Sequence, residues 1–515
     1  MAGRAFAAVA LTLGFYTLAL AVAMGCIAGP IALWASSGHG NAWLTIVLVA
    51  TGVTILRAIA PSRDTFVAPG PLLTPAGQPE LHAQLQAVAG QLGETVPDVY
   101  LAGDVNASVA EVSNGMFRGR RRIMILGLPL LAALTPAQTR AVVAHEYGHY
   151  IGGDTRFSAW IWRTRVAVLV TVQALDNEDS WFQRVIVRTP FLLYSKMFLR
   201  LTNAISRRQE FAADAVAVQV EGSETQGATL RNVSAAAAAY DGFWGQDLAF
   251  ALNRGRRPPI ASGFQRFLAD HEIRASLNEI VASEISEGET NPYDSHPTLA
   301  DRLRAIGAEV TAETSPPAPE DAATTLLRDV DRLENELLVS QFGDEVKALE
   351  TMTWEDAGML YVADGDAIAE EHARAFAGLT VAESAQAWAD AQTRAPALRE
   401  TFEDGGAGIS DEELAGFWRH AVGRLVVAAL RRAGWSIEAA PGDPLICRRG
   451  NDIVKPYQDL EQAAGDGTAA TWSERCAALG IGGLALARAP EPVAAQQPAP
   501  GQSVAPPAPV AWGAP

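Results

Sequence analysis

Residues 135–149 read Thr-Pro-Ala-Gln-Thr-Arg-Ala-Val-Val-Ala-His-Glu-Tyr-Gly-His. Thr135 suits a helix N-cap and Pro136 suits the first turn. Gln138, three residues on, closes a Thr-x-x-Gln capping box. The apolar run Ala141–Ala144 continues the helix, and Gly152-Gly153 stops it. On such a helix His145 and His149, four apart, share a face, so both imidazoles can reach one cation. Glu146 lies one step round and can address a water there as general base. Chance yields His-Glu-x-x-His in roughly one chain per hundred, so the setting has to add weight. Here the pair sits on a capped, largely apolar helix, and burying two imidazoles one turn apart without partners is costly.

A tetrahedral catalytic zinc takes three protein ligands and leaves one position for water. Position 155, six residues beyond His149, is Thr155 and not a third histidine. The best remaining candidate is Glu210, in Arg207-Arg208-Gln209-Glu210-Phe211-Ala212-Ala213-Asp214. Glu210 and Asp214 share a helical face. Glu210 could ligate, and Asp214 could accept a hydrogen bond from the far nitrogen of His145. Spacing alone equally allows an ordinary solvated acidic pair.

Outward from this core, the N-terminus is apolar. Of the 40 Lys and Arg residues only Arg4 and Arg57 lie in the first 60, and none of the 58 acids does. Ala5–Trp34 is long enough to span a bilayer as a helix. Ala42–Leu56 is a second apolar stretch, extending to Ala60 if Arg57 snorkels. The link 35–41 suits a tight hairpin. A cleaved signal peptide has a shorter apolar core and no second stretch after it. Arg4, Arg57 and Arg63 flank the pair and the link has no Lys or Arg, so both ends are expected in the cytoplasm. The expectation is a multi-pass protein of the cell (inner) membrane, with a lipid partner and a cytoplasmic catalytic domain.

The net charge is −18, which disfavours nucleic acid as a partner. Cys26, Cys447 and Cys476 form neither a disulfide framework nor a thiolate zinc site. The pattern predicts a helix from about Glu80, strands at Pro97–Leu101 and Arg122–Leu126, and a long helix over about Phe191–Val220. Trp160–Leu175 and Val185–Leu201 carry too many arginines and lysines to span a membrane. They read as amphipathic helices lying on the membrane or near the cleft. Arg118 and Arg120–Arg122 could face anionic lipid, or be plain solvated surface. The expected organisation is 1–60 transmembrane hairpin, 61–310 catalytic domain, 311–322 linker, 323–434 helical region, 435–488 small α+β module and 489–515 disordered Pro-rich tail. Trp354, Trp388, Trp418, Trp435 and Trp472 point to a folded core downstream of the linker, where protein partners could bind through 323–515.

Several of these features together resemble the M48 family of metallopeptidases, the group of the HtpX heat-shock protease and the CAAX-prenyl protease. They are Val99-Tyr100, Asn106-Ala107, Ile123–Leu126 followed by Gly127-Leu128, and Thr135–Asp154 around the histidines. Glu210-x-x-x-Asp214, and His296-Pro297 followed by Arg302, complete the run, which covers about residues 60–307. The resemblance implies a zincin-type α+β domain, mainly α with a small sheet, that holds one Zn2+ through His145, His149 and Glu210. It implies Asp214 as the partner of His145, His296 as oxyanion stabiliser or substrate-positioning group, and Arg302 as support. It also implies that Asn106 and the strand at 123–126, with Ile123 and Ile125, bind a polypeptide substrate by its backbone, as an exposed strand edge can. The function expected is zinc-dependent endopeptidase action on misfolded or membrane proteins, with Glu146 as general base. Prenyl-peptide-like processing, or a regulatory membrane protein recruiting partners, are the alternatives.

Overall fold

The two apolar runs at the N-terminus form helices, α1 (Ala2–Ser37) and α2 (Ala42–Ile59). Within α1, Val9–Ser37 is long and apolar enough to cross a bilayer; Ala42–Arg57 is apolar but shorter. The helices pack on one another, and Trp34 Nε1 donates to Thr45 Oγ1 at 2.9 Å. The structure is a computed structural model that describes residues 2–37, 41–59, 66–113, 120–151, 164, 167–168, 189–288, 296–402 and 408–487. All of the stretch Trp160–Leu175 except Thr164, Ala167 and Val168, the first residues of Val185–Leu201, the glycines at 152–153, Arg63, Arg118 and the Pro-rich tail lie outside these residues.

Two units account for the chain: residues 1–238 with 275–341, and residues 239–274 with 342–515. In the first, α3 (Pro79–Leu92) leads into a three-stranded sheet of β1 (Asp98–Ala102), β2 (Ala107–Ser113) and β3 (Arg120–Gly127). Their order is β1-β3-β2, with β1 parallel and β2 antiparallel to β3. Ile123, Met124 and Leu126 are all buried, which requires cover on both faces of the strand because successive side chains point to opposite faces. This placement corrects one expectation. Ile123 pairs with Asp98 on one side and Ala110 on the other, and Ile125 with Tyr100 and Ser108. Both hydrogen-bonding edges of β3 are therefore taken, and Ile123 and Ile125 offer no edge to a peptide. The sheet's two edges are β1 and β2; residues 71–73 bond the outer side of β1, with Leu73 N donating to the Val99 carbonyl at 2.8 Å and Leu101 N to the Pro71 carbonyl at 3.0 Å, so β2 is the edge that remains.

After α4 (Leu128–Ala133), α5 (Pro136–Ile151) starts at the capping box read from sequence. Thr135 N donates to Gln138 Oε1 (3.0 Å) and Gln138 N to Thr135 Oγ1 (3.2 Å). The long helix α6 (Thr189–Phe243) is interrupted at Gly222, where φ is 85° and ψ 163°. Only glycine holds that backbone region comfortably. Near its start α6 joins the N-terminal helices. Phe198 is buried with Phe15, Ala19 and Ala23 of α1, Ile55 of α2, and Ala167 and Val168, while the Tyr194 hydroxyl donates to the carbonyl of Leu11. The described part of Val185–Leu201 thus packs on α1 and α2, with Lys196 and Arg200 exposed. The helix Leu299–Ala305 brings Arg302, capped by Thr298 Oγ1 accepting from Asp301 N at 3.1 Å.

The second unit is built on the helix Asp411–Arg432, begun by a Ser410/Glu413 capping box. It buries Trp418, Val422, Leu425 and Val426 against Phe376, Trp435 and Trp472. A three-stranded antiparallel sheet, Ser436–Glu438, Ile446–Arg449 and Asp452–Val454, accompanies it.

Candidate metal centre

α5 and α6 lie against each other through small residues. A Cβ on Gly148 would sit 2.7 Å from Cα of Ala213, so this close approach is open only to glycine. It brings the two ligand-bearing faces together. His149 Nε2 lies 3.2 Å from His145 Nε2. Glu210 Oε2 lies 3.7 Å from His145 Nε2, and Oε1 3.6 Å from His149 Nε2. One ligand atom from each of His145, His149 and Glu210 falls within 4.8 Å of the others.

Behind this cluster Asp214 is fully buried. Its Oδ1 is 3.0 Å from His145 Nδ1, and Arg302 grips both its oxygens, Nη2 to Oδ1 at 2.7 Å and Nε to Oδ2 at 2.8 Å. Gln226, buried and just past the Gly222 break, donates from Nε2 to Oδ1 at 3.0 Å. Burial alone would raise the Asp214 carboxyl, but the bonds from Arg302 and His145 outweigh it and hold Asp214 well below the usual carboxylate range. Arg302 Nη2 also reaches Glu210 Oε2 at 3.6 Å, and the exposed His296 has Nδ1 3.3 Å from Glu210 Oε1. Burial again opposes ionisation of Glu210; hydrogen bonding to His296 and the charge of Arg302 prevail and bring it down to about 2. His149 is pushed down to about 4, by burial first and the neighbouring His145 second. Glu146 moves the other way, up to about 7, chiefly through burial, although the Val109 N–H of β2 donates to it.

The donor set fits a divalent ion. Asp214 Oδ1 lies 3.0 Å from His145 Nδ1, where it would favour the tautomer that turns the Nε2 lone pair toward an ion. His149 is neutral at pH 7, and Glu210 is ionised. At Zn–N distances of about 2.0–2.1 Å, tetrahedral nitrogens lie about 3.3 Å apart, close to the 3.2 Å found between the two imidazoles. Lone pairs and a carboxylate gathered this closely repel unless a cation lies among them.

Residues 75–310 match the family model of peptidase family M48. This stretch is an M48 peptidase domain. No curated protein matches the chain. The M48 domain runs from the edge of α3 past the helix Leu299–Ala305, so it contains every residue of the cluster, and M48 metallopeptidases are in general zinc-dependent.

The structure gathers His145, Glu146, His149, Glu210, Asp214, His296 and Arg302, all singled out in the sequence. Asn106 is exposed just before β2, and its carbonyl accepts from Gly127 N at 2.8 Å. Ile123 and Ile125 do not join the cluster. Sequence reasoning passed over Gly148, Gln226, and the pair Arg140–Glu221. The first two had no local signal. The end of the segment at Gly222 did carry one, because a glycine after a long periodic run marks a helix break, but nothing local singled out Glu221.

Proposed function

We propose that this chain is a membrane-anchored, zinc-dependent endopeptidase. The observation that carries the reading is the convergence of His145, His149 and Glu210 within an M48 domain, with Asp214 behind His145. His145, His149 and Glu210 would hold the zinc ion, and its chemistry there would be that of a Lewis acid toward a scissile carbonyl and a water. Glu146 is the general base. Burial raises its carboxyl above the usual carboxylate range, and beside the three ligands it could take a proton from a water and hand it to the leaving amine. Asp214 fixes the tautomer and orientation of His145, and Arg302 holds Asp214 and Glu210 in place. His296 sits at the exposed side of Glu210, where it would stabilise the tetrahedral oxyanion, a type of contribution often worth ~3 kcal/mol. The open edge of β2, beside Glu146 through Val109, suits an extended peptide bound by its backbone, with Asn106 at the strand's start.

The apolar span in α1 and its partner α2 support anchoring in the cell membrane as a hairpin, and Arg4 and Arg57 favour a cytoplasmic catalytic domain. Misfolded or membrane proteins are the substrates we favour. The expected boundaries at 60, 310, 322, 434 and 488 are retained as the domain proposal, with 323–515 free to recruit protein partners.

Glu146→Gln tests the mechanism. The variant is expected to keep zinc, by metal analysis, and to lose cleavage of an unfolded protein such as casein by orders of magnitude. Retained hydrolysis would end the proposal.

A further inference from the structure

The metal cluster needs α5 and α6 held in one axial register. Gly148 meets Ala213, His145 meets Asp214, and Arg140 meets Glu221. The helices therefore run antiparallel, and from the first of these contacts to the last each advances eight residues, about 12 Å at 1.5 Å per residue. The residues along this seam are small: Ala141, Ala144 and Gly148 on α5, Ala213 and Ala217 on α6, all buried. Small side chains allow close approach but present shallow ridges, so packing alone resists sliding weakly. Metal ligation tolerates errors of only about 0.2 Å, far less than the 1.5 Å of a one-residue slip.

We infer that Arg140 and Glu221 are positioning residues that lock this register and thereby set the metal geometry. Arg140 binds Glu221 in fork fashion, Nε to Oε1 at 2.6 Å and Nη2 to Oε2 at 3.0 Å, while its Nη1 is steadied by Gln84 Oε1 of α3 at 2.8 Å. Both side chains are largely buried, 27% and 12% exposed, so water screens the pair little, and two parallel bonds fix position along the axis as well as distance. Glu221 is also the last residue before the Gly222 break. The pair therefore pins the end of the straight segment that bears Glu210 and Asp214. Neither residue touches the ligands; they act through the two helices.

The inference rests on the zinc-site reading above, and its test separates the two. The full-length protein is prepared as wild type, Arg140→Glu, Glu221→Arg and the double charge swap. Cobalt(II) visible spectra, zinc affinity by chelator competition and the thermal midpoint of the chelated protein are then measured. Each single reversal is expected to weaken zinc binding by about tenfold or more and to alter the cobalt bands, and the double swap to recover most of both. Single variants with wild-type affinity and spectrum, whatever their thermal midpoint, would overturn the inference, as would a double swap no better than the worse single. If the reversals do not fold, Arg140→Met, Glu221→Gln and their combination replace them. Non-additive losses of affinity support the lock, and additive ones overturn it. A wild type that binds neither cobalt nor zinc defeats the zinc-site reading itself, whereas one that binds while the variants match it defeats only the lock.

Discussion

Asp214 is a buried carboxylate that acts on the metal cluster through His145 and Arg302. It takes bonds from His145, Arg302 and Gln226, and the donors differ in what they lose when it goes. Asp214→Ala removes the acceptor that fixes the His145 tautomer and leaves the Arg302 charge buried without its partner. Zinc affinity is expected to fall about 10–100-fold, the usual range for such supporting partners, read by competition with a chromogenic chelator. Gln226→Met removes one neutral donor among several, so its expected loss is only a few-fold in the same titration. In the second unit two acids pull in opposite directions with pH. Burial alone would raise Asp364, but bonds from His420 and Arg254 and the charge of Arg424 hold it at about 2. Its stabilisation is complete above an unfolded pKa of about 4 and is lost as pH falls toward 2. Asp247 is raised to about 7 by burial. The folded unit therefore binds the extra proton, and stability falls as pH rises from about 4 to 7. Asp247→Asn is expected to stabilise by on the order of 2–4 kcal/mol at pH 8 and by little at pH 4, measured by urea unfolding at the two pH values.

At the scale of elements, the seam between α5 and α6 depends on the absence of a side chain. Gly148→Ala forces a methyl against Ala213 backbone, so the helices must part by several tenths of an ångström. The helix-forming gain of alanine over glycine, about 1 kcal/mol, acts against that strain. The variant is expected to remain folded by circular dichroism while its metal affinity drops about tenfold or more; unchanged affinity would show that the helices do not meet this closely. This contact also marks where legibility ended. Periodicity and capping in Thr135–His149 gave α5 to within a residue, and the run Phe191–Val220 anticipated the straight part of α6 up to Glu221. Such signals are local, carried by neighbours in the chain. The ligand spacing identified Glu210 only as a candidate beside a plain acidic pair, because nothing in a single helix says which other helix it faces. The sheet failed for the same reason. Ile123–Leu126 announces a strand, but the order β1-β3-β2 is a property of partners, and it turned the expected edge into the centre.

For the whole molecule, the start of α6 ties the catalytic helix to the N-terminal pair. Phe198, wholly buried, sits among Phe15, Ala19, Ala23 and Ile55. Twelve residues later the same unbroken helix presents Glu210, about 18 Å further along its axis. Leu193 and Met197 on the neighbouring stripe are exposed, as are Leu13 and Leu20 of α1. In water these surfaces would associate non-specifically; against the lipid tails that the proposed anchoring supplies, they would be in place. Removing residues 1–65 would therefore do more than cut the proposed anchor. It uncovers Phe198 and Tyr194 beside Leu193 and Met197 and creates a continuous apolar patch on the helix that carries a metal ligand. The truncated protein is expected to sediment as aggregates, and Leu193→Lys, Met197→Glu and Phe198→Ser together to return it to the supernatant. The uncut chain should instead stay with membranes after alkaline carbonate washing. A truncated fragment that is monodisperse without these changes would show that α6 does not rest on α1 and α2.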